Sequence, residues 1–365
     1  MSSTEDPSLP TKEEDDEACL YAMLLSSFQV FPGILNAAIE LNVFEKMSEK
    51  AGGASGGYLS VSEIASELPT QHSELHDRLD RMLRVLASFK VLDWTTRTNQ
   101  HGQVERLYRL SLAGTYFLQS KTESLASFSN LQCHPATTKV WLNIKEAILD
   151  GGVDLFNKVH GITMWKYMEK ATELNRTFNK AMAGLSAIQM RKYLEVYEGF
   201  EGVSTLVDVG GGTGQSLQMI ISKHPHIKGI NFDLPQVIQH APPHPGIEHV
   251  GGDMYVSVPK GDAIMVKATC HNWSDEKCVA LLKNCHKALP ENGKVIILDM
   301  ILPEEPVSSV ASKYVSIVDN SMFIQAGGRE RTEQQFEKLC KNSGFSSFRV
   351  AARALSVYGV IEFYK

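Results

Sequence analysis

A run of glycines between two apolar stretches is the part of the chain best suited to holding a ligand. Four of the five residues at 205–209 are apolar or β-prone, which predicts a short buried strand. The sequence Gly-Gly-Gly-Thr-Gly follows at 210–214, and residues without a Cβ let the backbone turn tightly and approach a ligand. From Gln215 onward apolar residues recur at helical spacing. Strand, turn and helix therefore form the first half of a βαβ nucleotide-binding unit.

The spacing of the glycines separates three classes of nucleotide site. A dinucleotide fingerprint requires glycine where the chain has Gln215, so an NAD-dependent oxidoreductase is disfavoured. A Walker loop would end in Gly-Lys-Ser or Gly-Lys-Thr, which this turn lacks. What remains is Asp208 two residues before the first glycine, and then Gly-x-Gly-x-Gly. These glycines, Gly210, Gly212 and Gly214, resemble the first motif of class I methyltransferases that bind S-adenosylmethionine (SAM).

Two carboxylates follow at the ends of later predicted strands. Residues 227–232 predict a strand that ends at Asp233, about the ~20-residue distance at which a strand-end carboxylate meets ribose hydroxyls. Residues 251–254 end another segment and place Asp253 and the thioether of Met254 where an adenine ring would be met. Each acid alone could equally cap a turn or a helix. Together, in this order, they favour an adenosyl ligand.

A histidine follows the next predicted strand. Residues 263–266 are apolar and are followed by Lys267 and, four residues later, by His271. Ligands of open α/β sheets gather at the carboxyl ends of the strands, so His271 lies where chemistry is expected. Taken alone, however, it is better explained as a strand-end histidine satisfied by a neighbour.

The elements that must position these residues point to an α/β protein with more than one domain. The chain has 365 residues, 43% of them hydrophobic, enough for a sizeable core in each of two domains. We predict a Rossmann-like, doubly wound sheet at 201–365, including a strand at 295–298 with Asp299 at its end. Before it we expect a disordered acidic tail at 1–17, a winged-helix-like domain at 18–118 and a helical layer at 119–200.

The N-terminal domain has the element order of a winged helix. Ser60-x-x-Glu63 is a capping box that opens a short helix, and a longer amphipathic helix follows at 75–86. Strand patterns at 91–95 and 104–110 flank a turn signal and predict a hairpin. Basic residues of the longer helix alternate with acids, so we favour a scaffold and dimerisation role over DNA binding.

Two apolar segments remain open to more than one interpretation. Residues 18–44 predict two helices interrupted at Pro32-Gly33, with apolar surface that fits either a dimer contact or an ordinary core. Residues 119–200 fit either plain core or the wall of an aromatic substrate pocket, and periodicity does not separate the two.

Composition excludes several partners and compartments. The net charge is −6, and we find neither a basic stripe typical of nucleic-acid binding nor an apolar run near the ~18–20 residues of a membrane span. The N-terminus lacks the pattern of a secretory signal. The six cysteines form no CxxC pair, which predicts reduced, mostly buried thiols, no zinc site and a cytoplasmic protein.

Six ordered motifs are similar to those of plant caffeic-acid-type O-methyltransferases, and the similarity runs from residue 18 to residue 365. The resemblance implies a homodimer with a winged-helix-like dimerisation domain, a SAM-binding C-terminal fold and no metal. The motifs lie at Asp208–Gly214, Phe232–Pro235, Gly252–Met254, His271–Asp275, Asn292–Val295 and Gly327–Thr332.

The resemblance also assigns roles. His271 matches the general base, and Asp299 and Glu330 match the two acids that hold it in its working tautomer. A phenol with a pKa near ~10 needs such a base at neutral pH, and histidine, with an ordinary pKa of ~6.5, suits the task. The matching SAM-binding residues are Asp208, Gly210, Gly212, Asp233, Leu234, Asp253, Met254, Lys267, Phe178 and Ser186. The matching acceptor-binding residues are Gln132, Met182, Leu185, Asn272, Met322 and Gln325.

Departures from the family pattern concern the acceptor. The caffeic-acid branch usually carries Glu, Trp and Asp where this chain has Asp299, Ala268 and Asn272. Lignin-type relatives carry a histidine at the position of Leu185. Gln132, Thr137, Leu174 and Gln325 also depart from the caffeic-acid pattern. We therefore expect a different or broader phenolic acceptor than caffeic acid.

Three hypotheses follow. The leading one is O-methylation of a phenylpropanoid, coumarin or flavonoid of plant secondary metabolism. The second is N-methylation of an aromatic amine, whose free lone pair depends less on a base. The third is a non-catalytic winged-helix protein that binds SAM without turnover.

Overall fold

The computed structural model describes residues 10–54, 56–98, 102–150 and 154–365, without the side chains of residues 325 and 326. The chain divides into two compact units. The helical layer expected at 119–200 is shared between them. The first unit holds Met1–Thr137 and Arg176–Gly184, and the second holds Thr138–Asn175 and Leu185–Lys365.

The first unit combines helices with a small antiparallel sheet. In chain order its elements are α1 Lys12–Ser26, α2 Val30–Glu40, α3 Val43–Lys50, β1 Leu59–Ser60, α4 Val61–Ala65, α5 Leu75–Ser88, β2 Leu92–Thr98, β3 Val104–Leu110, a 3-10 turn Gly114–Phe117 and α6 Ala126–Cys133. The strands pair in the order β1-β3-β2, so the predicted hairpin is confirmed. Its tip at 99–101 lies outside the described residues.

Local sequence signals place the helices of this unit. The predicted capping box is confirmed, since the Ser60 hydroxyl accepts from the Glu63 N–H and the Glu63 carboxylate accepts from the Ser60 N–H. In α5 the residues Leu79, Leu83 and Leu86 are fully buried, as the helical spacing predicts. They belong to the apolar core of the unit.

Two expectations for the N-terminal segment are wrong. The tail expected to be disordered up to residue 17 is helical from Lys12, because Thr11 and Glu14 form a capping box. Residues 1–9 lie outside the description. Pro32 lies in the first turn of α2 rather than between two helices. Proline is tolerated there because the first N–H groups of a helix have no intrahelical acceptor.

The second unit is built around a twisted, mostly parallel sheet. In chain order its elements are α7 Pro135–Trp141, which begins in the first unit, α8 Ile144–Leu149, α9 Leu155–His160, α10 Met164–Lys170, α11 Thr172–Val196, which crosses both units, β4 Thr205–Val209, α12 Gln215–Lys223, β5 Lys228–Asp233, α13 Pro235–Ile238, β6 Ile247–Gly251, β7 Ala263–Lys267, a 3-10 turn Cys270–Asn272, α14 Asp275–Ala288, β8 Lys294–Leu302, α15 Val310–Ala326, β9 Arg331–Thr332, α16 Glu333–Asn342, β10 Ser347–Ala354 and β11 Tyr358–Tyr364.

The strand order confirms the predicted Rossmann-like, doubly wound fold. The strands are ordered β10-β11-β8-β7-β4-β5-β6; β11 is antiparallel to both of its neighbours, β10 and β8, and the other neighbouring pairs are parallel. From β4 the chain moves outward to β5 and β6 and then returns to β7 on the other side. The switch point therefore lies between β4 and β7, where ligands of such sheets bind.

Alternating side chains anchor the central strands in two apolar layers. In β4, Val207 and Val209 face one layer and Leu206 faces the other. In β7, Ile264 and Met265 divide in the same way. Since both faces are covered, the carboxyl ends of these strands are held rigidly.

The prediction that Asp299 lies at the end of a strand is wrong, because Asp299 lies inside β8. β8 continues to Leu302, because β11 pairs with it through Met300 and β9 pairs with Ile301 and Leu302. Asp299 is therefore 3% exposed within the strand.

Most of the cysteines in the described part of the chain are buried. Cys270, Cys278, Cys285 and Cys340 are buried, and all six cysteines are free thiols. No single described helix is long and apolar enough to cross a membrane. Taken together, α1 and α2 reach the necessary length and hydropathy, but they are bent by 51° relative to each other. The part of the chain that the structure covers holds no cluster of three or more His, Cys, Asp or Glu suited to a metal ion.

Candidate active site

The glycine turn after β4 forms a tight cradle. Gly210, Gly212 and Gly214 all have positive φ angles, of 74°, 59° and 84°. Such angles favour glycine because a Cβ would strain the backbone. Gly212 also faces open space, since no atom lies within 4 Å of where its Cβ would be. The turn thus has room for a ligand directly above the start of α12.

The middle glycine, which the motif left unassigned, is the most tightly enclosed. A Cβ at Gly211 would lie 2.1 Å from Oδ1 of Asn231 and 2.7 Å from Oδ2 of Asp208. Asn231 is fully buried, and its amide donates to the carbonyl of Gly212 at 2.9 Å. Sequence reasoning missed Gly211 and Asn231. For Asn231 the sequence did offer a signal, since it is a polar residue between two apolar residues of strand β5.

Asp233 fastens the glycine turn to the end of β5. Its Oδ2 accepts from the N–H of Gly212 at 2.8 Å, and its Oδ1 accepts from the N–H of Leu234 at 2.7 Å. Each oxygen keeps a second lone pair, which matches the two donors of a ribose diol. The carboxylate predicted to bind ribose therefore lies beside the cradle.

Asp253 and Met254 follow β6 as predicted. The Asp253 carboxylate is exposed, and its Oδ1 accepts from the N–H of Tyr255 at 2.8 Å, so it also caps a turn. Met254 is half-buried and packs against the core beneath.

A buried aspartate on β4 and a half-buried lysine at the end of β7 act on each other by charge. Burial raises the pKa of Asp208 to about 7, although the charge of Lys267 opposes this shift. Burial likewise lowers the pKa of Lys267, against the charges of Asp208 and Asp299. The Lys267 ammonium donates to the hydroxyl of Ser186 at 2.8 Å, and that hydroxyl lies 3.3 Å from Oγ of Ser216. Ser186, Lys267 and Asp208 therefore form one polar group.

His271 is held by a buried carboxylate. Its Nδ1 lies 2.9 Å from Oε1 of Glu330, whose side chain is 1% exposed. Burial alone would lower the pKa of His271, but the hydrogen bond to Glu330 and the charges of Asp299 and Glu330 outweigh it and raise the pKa. Because Nδ1 donates to the carboxylate, Nε2 of the neutral ring carries the basic lone pair. The ring can therefore accept a proton at Nε2.

Asp299 acts on the histidine by charge rather than by contact. Its Oδ2 is buried and has no hydrogen-bond partner among the described residues, and the same holds for Oε2 of Glu330. Burial raises the pKa of Asp299 to about 7, while the nearby His271 opposes the shift. The structure brings the three predicted catalytic residues together, with Glu330 as the direct partner.

The turn that carries His271 has an unusual backbone. Ala268 has a φ angle of 47°, which is left-handed and rare for a residue with a Cβ. The Asn272 amide donates to the Ala268 carbonyl at 3.2 Å, so the residue expected to bind acceptor also closes this turn. A Cβ on Gly328 would lie 2.0 Å from the His271 carbonyl oxygen, which explains a glycine there that sequence reasoning left without a role.

The remaining predicted residues divide between the units. Leu185 and Met322 are half-buried in the second unit, and the side chain of Gln325 lies outside the described part. Gln132, Phe178 and Met182 are half-buried in the first unit, and their roles stay predictions.

Two family models match the chain. The O-methyltransferase domain matches residues 141–346, and the O-methyltransferase dimerisation domain matches residues 23–120. The first match contains the glycine turn, His271 and Glu330.

Individual proteins match along almost the whole chain. A caffeic acid 3-O-methyltransferase of Rosa chinensis is 50% identical and covers 98% of this chain and 97% of that protein. An esculetin O-methyltransferase of Kitagawia praeruptora is 47% identical and covers 100% of both chains. The crystal structure of human N-acetylserotonin methyltransferase in complex with SAM has a TM-score of 0.75 at 21% identity, covering 100% of this chain and 99% of that one, and shows a shared fold. The chain therefore belongs to the plant caffeic-acid-type family of SAM-dependent O-methyltransferases.

Proposed function

We propose that this protein transfers the methyl group of SAM to the hydroxyl of a small phenolic acceptor, with His271 as the general base. The observation that carries the proposal is the 2.9 Å contact between Nδ1 of His271 and Oε1 of Glu330. It fixes the imidazole in the tautomer whose Nε2 accepts a proton. Nearly full-length relatives named for caffeic acid and esculetin support a phenolic acceptor.

The residues at the carboxyl ends of β4, β5 and β6 fit SAM. The open cradle at Gly212 admits the ligand, the free lone pairs of Asp233 fit a ribose diol, and Asp253 and Met254 flank the predicted adenine position. When bound, SAM supplies a methyl group already activated by the sulfonium. The chain's own residues then have to orient the acceptor, exclude water and remove one proton.

Proton removal falls to His271. A phenol with a pKa near ~10 is almost fully protonated at neutral pH, so its oxygen is a weak nucleophile until a base takes the hydrogen. Transfer of that proton to Nε2 leaves an imidazolium. Its new charge lies beside Glu330 and Asp299, which stabilise it.

We also propose that the protein acts as a homodimer through its N-terminal helices. The described helix α1 has no buried residue, and its Leu20, Met23 and Leu25 are each more than half exposed. A large exposed apolar face is typical of an interface, and the dimerisation model begins at residue 23, in the last turn of this helix. Light scattering of the purified protein tests this, with a dimer mass expected.

One assay tests the proposed activity. Purified protein with SAM carrying a labelled methyl group is screened against caffeic acid, a coumarin diol, flavonoids and arylamines. We expect methylated phenols, with caffeic acid not the best acceptor, given the departures at Leu185 and Leu174. Binding of SAM without turnover of any acceptor would contradict the proposal.

The histidine separates O-methylation from N-methylation. His271→Ala should reduce O-methylation by about 10²–10⁴-fold, the usual contribution of general-base catalysis. An arylamine attacks through its free lone pair and should lose much less. Turnover of arylamines alone, unaffected by His271→Ala, would replace the proposed hydroxyl acceptor with an amine.

A further inference from the structure

The segment that supplies Glu330 also holds the main chain on both sides of His271. The guanidinium of the next residue, Arg331, donates through Nη1 to the Cys270 carbonyl and through Nη2 to the Trp273 carbonyl, each at 2.7 Å. Cys270 precedes His271, and Trp273 directly follows the 3-10 turn Cys270–Asn272. Two adjacent residues therefore reach the imidazole and the backbone that carries it.

The burial of Arg331 calls for a reason. Its side chain is 1% exposed, and its charge is matched by Asp275, whose Oδ1 accepts from Nε at 3.0 Å and from Nη2 at 2.9 Å. Removing a guanidinium from water is unfavourable unless such contacts offset the lost hydration, and an apolar residue of similar volume often fills a purely structural site at least as well. Here the planar guanidinium donates four hydrogen bonds, two to Asp275 and one to each of the two carbonyls, and no other side chain has donors in this arrangement.

We infer that Arg331 is a positioning residue that fixes the backbone of His271 relative to the Glu330 carboxylate. Since Glu330 and Arg331 are neighbours in the chain, the contacts to Cys270 and Trp273 set the His271 turn at a fixed distance from Glu330. Displacement of a catalytic group by about 1 Å costs up to ~10²-fold in rate.

Arg331→Lys tests the inference, which rests on the proposed function for its kinetic readout. Lysine keeps the charge but cannot donate along the three directions that reach Cys270, Trp273 and Asp275. We expect kcat for phenol methylation to fall about 10–100-fold, with the Kd for S-adenosylhomocysteine within twofold of wild type. The midpoint of the acid limb of the pH–rate profile should move down as the contact with Glu330 loosens.

A second arginine provides the control. Arg349 lies on the edge strand β10 and binds the buried carboxylate of Glu362 through Nε at 3.0 Å. Arg349→Lys likewise breaks a guanidinium–carboxylate contact, from a more exposed arginine on a strand that does not contact the His271 turn, so it should change stability but leave kcat and the pH profile unchanged. Equal losses of kcat in both variants, without a shifted profile in Arg331→Lys, would overturn the inference.

Two further measurements keep the test decisive. If Arg331→Lys does not fold, Asp275→Asn removes the partner that orients Arg331 and should lower kcat several-fold with the same shift of the profile. If wild type turns over no phenol, the proposed function fails, but the pKa of His271 still reports on Arg331 by NMR titration. An unchanged His271 pKa in a folded Arg331→Lys or Asp275→Asn protein would reject the positioning role.

Discussion

The Nδ1 atom of His271 lies 2.9 Å from Oε1 of Glu330, and the two residues are separated by 59 positions in the chain. The sheet joins them because β9, which follows Glu330 directly, pairs with the end of β8 beside β7. The relationship determines both the tautomer of the ring and the direction of its pKa shift. It therefore leads to a measurable pH dependence.

Glu330→Gln should slow methylation and move its pH profile. The base must be neutral, so kcat/KM should rise with pH through the pKa of His271, with a midpoint above the ordinary 6.5 in wild type. Glutamine can still accept from Nδ1–H but carries no charge, so the midpoint should fall and kcat drop about 10–100-fold. A pH series of initial rates measures both. A midpoint identical in the two proteins would show that Glu330 does not set the basicity of His271.

Asp299→Asn should have a smaller effect that depends on pH. Burial raises the pKa of Asp299 to about 7, so in wild type its charge is present above pH 7 and lost below it. The kcat deficit of the variant should therefore be a few-fold near pH 8 and disappear near pH 6. The rate ratio of variant to wild type across this range is the measurement.

Stability should respond to Asp299→Asn in the opposite sense. The folded pKa of Asp299 lies above its ordinary 3.8, so the folded state binds the proton more tightly and wild-type stability falls as pH rises from 3.8 to about 7. Asparagine lacks this penalty, so the Tm advantage of the variant should grow with pH, by about 2–4 °C for each kcal/mol regained. A Tm below wild type at pH 8 would contradict this.

Local signals in the sequence were sufficient for many elements. The capping boxes at Ser60 and Thr332 determine where α4 and α16 begin, because each involves residues only three positions apart. The strand, glycine turn and helix around Gly212 were predicted for the same reason. Such features depend on backbone geometry within one turn.

The features that the sequence did not predict depend on contacts between residues that are far apart in the chain. Asp299 lies inside β8 rather than at its end, because partners from β9 and β11 extend the strand. The tight space at Gly211 arises from Asn231, 20 positions away on the neighbouring strand. The contacts of Arg331 reach back about 60 positions to Cys270 and Trp273. No periodicity encodes any of these distances.

Gly211→Ala should abolish cofactor binding, whereas Gly212→Ala should only weaken it. At Gly211 a Cβ would collide with the buried Asn231 amide and Asp208 carboxylate, at 2.1 and 2.7 Å, so the turn must shift. At Gly212 the Cβ meets no protein atom, so the protein itself is strained only by the positive φ of 59°, roughly 1 kcal/mol, and a small methyl group is added at the edge of the ligand space. Calorimetric titration with S-adenosylhomocysteine should show no measurable binding for Gly211→Ala and a Kd about fivefold weaker for Gly212→Ala. The reverse order would show that ligand contact at Gly212, rather than packing at Gly211, limits this turn.

A buried carboxylate at the antiparallel edge of the sheet predicts an acid limit to stability. Glu362 is fully buried, and it accepts from Lys294 at 2.6 Å, from the Tyr197 hydroxyl at 2.6 Å and from the Tyr364 hydroxyl at 2.7 Å. Arg349 adds a further contact at 3.0 Å. Burial would raise the pKa of Glu362, but these hydrogen bonds outweigh it and lower the pKa to about 2.

Glu362→Gln should therefore destabilise the protein most at neutral pH. A folded pKa below the ordinary 4.5 means that the carboxylate stabilises the fold fully above pH 4.5 and loses this contribution as pH falls towards 2. We expect a loss of ~3–5 kcal/mol at pH 7, as for breaking other buried pairs, shrinking in acid. Urea unfolding between pH 7 and pH 3 measures it. Glu337→Gln, which breaks an exposed pair with Lys341, should cost under ~1 kcal/mol. Equal losses in the two variants, or a loss at Glu362 independent of pH, would mean that packing rather than charge holds this edge together.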